Sequence, residues 1–128
     1  MNTTINAMLD RRSCRKYQEK MVSKEVIEQI ITAGTYAASG MGKQPCLIIA
    51  VTDKKLRDQL SEMNRKIGGW DKGVDPFYGA PAVLIVLADK SRPTRVYDGA
   101  LVMGNLMLAA SSLGVGSCWI HRAKEEFE

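Results

Sequence analysis

The side chains able to do chemistry in this sequence fall into three groups. The first is Arg11, Arg12, Ser13 and Arg15. Three guanidinium groups and a hydroxyl so close together suit a phosphate monoester, because arginine offers forked, permanently charged donors. The same cations at the end of a helix would answer its macrodipole from water, and the cluster by itself leaves both roles open. The second group is the stretch 39–45, Ser-Gly-Met-Gly-Lys-Gln-Pro. Its two glycines let backbone come close to a planar ligand, and Gln44 can hydrogen-bond the edge of a heterocycle. Read plainly, the same stretch is a helix-to-strand connection. The third is 114–121, Gly-Val-Gly-Ser-Cys-Trp-Ile-His. Backbone groups beside its glycines can meet the polar edge of a ring system; the alternative is a core strand in which Trp119 is simply packed. His121, the single histidine, reads alone as a surface or structural residue more readily than as a catalyst. Cys118, set in an apolar run, reads as inert core rather than nucleophile.

What is missing narrows the chemistry further. The sequence has no G-x-G-x-x-G, no phosphate-binding G-x-x-x-x-G-K-[ST], no H-E-x-x-H and no G-x-S-x-G. Its acidic residues form no evident carboxylate pair. Hydrolysis and kinase chemistry therefore have little support, and an enzyme built on this chain must lean on a cofactor. The three cysteines, Cys14, Cys46 and Cys118, are widely spaced and make no zinc pattern with His121, so no metal site is expected. Reduced thiols in a cytoplasmic protein are the simplest reading. The first 12 residues contain no apolar core of a signal peptide.

The elements that must position these groups follow from patterning. The 128 residues, 45% apolar and 25% charged, allow one domain over 1–128 and no membrane span. The net charge of +4 favours an anionic ligand but is too small and scattered for nucleic acid. Thr3 and Thr4 can cap a short helix with Ile5, Met8 and Leu9 on its apolar side. Ser23 caps a clearer one that runs to about Ala38 and buries Val26, Ile27, Ile30 and Ile31. Residues 46–52 and 82–88 read as buried strands. Asp53 caps a third helix between them, with Leu56, Leu60, Met63 and Ile67 inward. The long irregular segment 68–79 follows it. A fourth helix over 98–113 is apolar on nearly its whole circumference, as befits a helix central in a fold or covered by a partner chain. A third strand is expected over 116–121, and 123–128 looks like the start of another helix.

Taken together and in order, three stretches resemble the nitroreductase family of flavoproteins. They are Arg11 through Tyr17, Ala38 through Pro45, and the run containing Asp98-Gly99-Ala100, Asn105-Leu106, Leu108-Ala109-Ala110 and Leu113 through Ile120. The resemblance covers essentially the whole chain. It implies an α+β fold around a mixed, mainly antiparallel sheet flanked by helices, a homodimer, and FMN bound at the dimer interface. It implies a ping-pong oxidoreductase in which NADH or NADPH is the donor and a nitroaromatic, quinone or similar small oxidant is the acceptor, with no catalytic side chain. Carried onto this sequence, Arg11, Arg12, Ser13 and Arg15 would hold the phosphate and ribityl end of FMN. Ser39, Gly40, Gly42 and Gln44 would approach the flavin from the neighbouring subunit. Trp119, Ile120 and His121 would contact its ring mainly through backbone. Gly42 stands where many members carry Asn. Members usually continue well past this point, so the chain reads as a family domain without its C-terminal part. Two other readings stand beside this one: a flavin-binding module without turnover, and a small doubly wound α/β binding domain.

Overall fold

A computed structural model describes residues 1–127. Helix α1 (Thr3–Asp10) begins one residue earlier than expected, because Asn2 is the cap: its side-chain oxygen accepts the Ile5 N–H at 2.9 Å. Helix α2 (Lys24–Thr35) is capped by Ser23 as its sequence predicts. It stops short of Ala38, because the N–H groups of Tyr36 and Ala37 bond to the carbonyls of Ala33 and Gly34, tightening the last turn. Strands β1 (Cys46–Val51) and β2 (Val83–Ala88) pair antiparallel, with Cys46 opposite Ala88 and Val51 opposite Val83. Helix α3 (Lys54–Gly68) lies between them in the chain. It starts at Asp53, whose carboxylate accepts the Leu56 N–H, and ends at Gly69 in the left-handed region. Helix α4 (Arg95–Ser112) starts a turn earlier than expected and carries Asp98 within its first turn.

The two strands separate two apolar clusters by the period-2 alternation of a strand. On one face Ile48, Leu84 and Val86 pack against Ile30 of α2 and Val102, Leu106 and Ala110 of α4. On the other, Val51, Val83 and Ile85 meet Leu60 of α3, Phe77 and Ile120. Helices α2 and α4 approach closely at Gly34, where an added Cβ would lie 2.9 Å from the end of Ile48 and 2.5 Å from Leu106. Asn105 donates to the Ala33 carbonyl at 3.0 Å and fixes the register of the same pair. The α+β class is as expected.

Three expectations need correction. Residues 116–121 are not a strand. Ser117 makes one isolated parallel bridge to Ser13, and the chain then enters a 3₁₀ run over His121–Glu126 in place of the expected helix start at 123–128; residue 128 lies outside the described residues. Ile120 is held by side-chain packing against the second cluster rather than by a ladder. Helix α3 is rotated from its apolar stripe: Arg57, Leu60, Ser61 and Asn64 are buried, while Leu56, Met63 and Ile67 are exposed. The cause is Asp75, which draws Arg57 and Ser61 inward with bonds of 2.5 and 2.6 Å. Finally, β1 is not a buried strand, since its outer residues Leu47, Ile49 and Ala50 are exposed. Within the one chain α4 buries Asp98, Val102, Leu106 and Ala110 at a spacing of four and leaves Val96, Tyr97 and Leu101 exposed.

Candidate functional site

Arg11 closes α1, with its N–H on the Ala7 carbonyl, and the chain then runs extended. That extension lets Ser13 pair with Ser117 and Cys14 donate its N–H to the Ser117 carbonyl at 2.8 Å. The first and third groups of candidate residues are thereby brought side by side. Arg12 folds back and donates to the carbonyls of Leu9 and Arg11 at 2.8 and 2.9 Å, so part of its guanidinium closes the helix end. Arg11 and Arg15 pair with no carboxylate among the described residues, and both leave forked donors for an anion. Tyr17 donates its hydroxyl to the Cys14 carbonyl. Burial, with the Cys14 and Cys118 thiols nearby, pushes its pKa up to about 12, so the phenol stays neutral.

In the third group the side chains alternate. Ile120 points into the core, while Trp119 and His121 are exposed, with ring centroids 6.2 Å apart and planes tilted by 59°. Arg122 stacks over Trp70 at 5.7 Å, tying this segment to 68–79. Asp75 organises that long segment, accepting from Arg57, Ser61 and the N–H groups of Phe77 and Gly79.

The second group, 39–44, is a strained loop built around one 3₁₀ turn at Gly40–Gly42. Met41 and Gln44 have φ of 55° and 47°, a left-handed conformation that costs energy for residues with a Cβ. Gly42, at φ 65°, sits in open space, in the region that glycine and asparagine enter most easily. The Ser39 hydroxyl accepts the Gln44 N–H at 2.9 Å, and the Gln44 amide donates to the Thr35 carbonyl at 3.3 Å. The loop is fastened to α4 by Asp98, which is 3% exposed and accepts the Gly40 N–H and the Thr94 hydroxyl at 2.9 and 2.7 Å. Glycine is required at position 40, because a Cβ there would overlap the Thr94 side chain. Burial, with Asp98 beside it, pushes the neighbouring Cys46 thiol up from its ordinary pKa.

Within one chain these halves stand apart. The 39–44 loop is bonded to the first turn of α4, whereas the arginine segment is bonded to residues just past its last turn. The 18 residues of α4 make a rod about 27 Å long. Sequence reasoning missed Asp98 and Thr94 as positioning residues. Asp98 carried the signal of a helix start and of the resemblance but none of a loop contact, because its partner Gly40 is 58 positions away.

Residues 8–126 match the pattern of the nitroreductase family. A relative from Methanothermobacter thermautotrophicus is 31% identical over 119 residues, covering 90% of this chain and 59% of that protein. An FMN reductase [NAD(P)H] of Bacillus subtilis is 28% identical over 91% of this chain and 53% of its own length. The fold superposes on a nitroreductase with bound FMN from Bacteroides fragilis with a TM-score of 0.89, at 29% identity, over 95% of this chain and 71% of that one. An FMN-dependent nitroreductase from Clostridium difficile gives 0.83 at 36% identity, over 91% and 59%. The chain thus spans little more than half the length of several relatives that it matches.

Proposed function

The chain belongs to the nitroreductase family, and from that premise we propose that it is an FMN-dependent NAD(P)H oxidoreductase whose site is completed by a second copy of itself. The observation that carries this reading is the separation of the two halves along α4. A loop at one end and an arginine cluster at the other can serve one cofactor only if two protomers supply one half each.

The donor set fits FMN. Arg11, Arg15 and the remaining donors of Arg12, with the Ser13 hydroxyl, hold the phosphate and ribityl end. Ser39, Gly40, Gly42 and Gln44 of the second protomer approach the ring. Trp119, Ile120 and His121 offer backbone groups to its polar edge, with Ile120 anchored in the core so that their positions are fixed. FMN, when bound, supplies the hydride chemistry, so no side-chain nucleophile is needed. The donor is NADH or NADPH and the acceptors are nitroaromatics, quinones or similar small oxidants, handled in ping-pong fashion. No helix among the described residues is long and apolar enough to cross a membrane. The free cysteines suit a reducing cytoplasm.

The test is FMN titration of the purified chain, followed by anaerobic addition of NADPH or NADH. Binding of the yellow cofactor and bleaching by the nicotinamide support an enzyme. Binding without bleaching reduces the protein to a flavin-binding module, and no binding overturns the assignment.

A further inference from the structure

Two cysteines far apart in sequence meet where the arginine segment docks. Ser13 and Ser117 are partners in a parallel bridge, and Cys14 and Cys118 are the next residues along. Neighbouring paired strands lie about 4.8 Å apart, within the roughly 4.4–6.8 Å Cα separation that a disulfide spans. The Cys14 sulfur lies against Gly116, where an added Cβ would come within 2.9 Å of it. Gly116 and Cys118 flank Ser117, the residue bridged to Ser13. Tyr17 closes the cluster, with its ring 3.6 Å from that same Cβ position and its hydroxyl on the Cys14 carbonyl. Both thiols help raise the Tyr17 pKa, so both lie near its phenol. Both cysteines are free and half-buried; the Cys14 thiol donates to the Lys16 carbonyl at 3.2 Å and the Cys118 thiol to the Trp119 carbonyl at 3.8 Å.

We propose that Cys14 and Cys118 are a dithiol that a small-molecule disulfide oxidises to an intrachain disulfide. One cysteine thiolate attacks a sulfur of the reagent, forms a mixed disulfide and releases the first small thiol. The second cysteine thiolate then attacks the protein sulfur, and the second small thiol leaves. The two cysteines lose two electrons and two protons, and the reagent is reduced to two thiols. An anionic disulfide such as oxidised glutathione is favoured, because Arg11, Arg12, Arg15 and Lys16 surround Cys14 in sequence. The product fastens the arginine segment to the 114–121 segment covalently. Formation of the bond does not rest on the flavin assignment, and its test needs no flavin.

The experiment uses the full chain carrying Cys46→Ser, reduced, desalted and then exposed to oxidised glutathione. The expected product has lost both thiols, retains no glutathione, runs as a single chain, and yields a Cys14–Cys118 peptide on non-reducing digestion. Cys14→Ser and Cys118→Ser added singly should each leave the remaining cysteine as a stable glutathione adduct, because the resolving thiol is gone. Stable adducts in the parent protein, a bond between chains, or thiols that stay unmodified under these conditions would overturn the proposal.

Discussion

The buried carboxylate of Asp98 accepts the backbone N–H of Gly40 at 2.9 Å, joining the first turn of α4 to a loop 58 residues earlier in the chain. One side chain thereby fixes the loop that we place against the flavin, and its second oxygen is taken by Thr94.

Removing this carboxylate leaves the Gly40 N–H and the Thr94 hydroxyl without their acceptor. Asp98→Ala should lower unfolding free energy by about 3 kcal/mol, and Asp98→Asn, which keeps one acceptor, by roughly half that. Urea denaturation reads both. If each variant lies within about 0.5 kcal/mol of the parent, the clamp contributes nothing.

Arg11→Ala and Arg15→Ala each remove charge-assisted donors from the proposed phosphate site and should each raise the FMN dissociation constant roughly tenfold or more. Fluorescence titration measures this, and unchanged affinity in both variants would dismiss the assignment.

Acid sensitivity should trace to Asp75. Burial by itself raises its pKa, but bonds from Arg57, Ser61 and the N–H groups of Phe77 and Gly79 outweigh that and hold it below the usual carboxylate value. A depressed folded pKa means stability that is complete above the unfolded value of about 3.9 and is lost as pH falls through the lower folded value. Urea midpoints should therefore drop on acidification below about pH 4, and Asp75→Asn should flatten that slope. An unaltered slope in the variant would clear Asp75 of the role.

The exposed apolar residues of α4, Val96, Tyr97 and Leu101, need a cover. A dimer burying roughly 2,000 Å² or more supplies it. Leu101→Glu should shift sedimentation from dimer to monomer and release FMN with it. A parent protein that sediments as a folded monomer at micromolar concentration rules this out.

His121 is exposed and touches Trp119. If 119–121 works through backbone, His121→Ala should keep its flavin and lose less than about tenfold in turnover, against the roughly 10²–10⁴-fold expected of a general acid. Stopped-flow rates of both half-reactions across pH decide it, and a large loss confined to the oxidative half would make the imidazole catalytic.

Local chemistry wrote much of this protein into its sequence. Ser23 and Asp53 cap helices because their side chains reach the N–H groups three residues on. The two apolar β-branched runs became the paired strands for equally local reasons. The three candidate stretches were visible as residue types, since arginine clusters and glycine pairs announce themselves without a fold. Long-range pairing decided the rest. Helix α3 turned its polar side inward because Asp75 offered Arg57 and Ser61 a better burial than water could. The segment after α4 became one bridge to Ser13 instead of a strand, because Ile120 was claimed by the core. Above all, only the tertiary structure set the loop at one end of α4 and the arginines at the other. A helix length is legible in sequence, but which distant segments bond to its two ends is not, because those bonds join residues 58 or more positions apart.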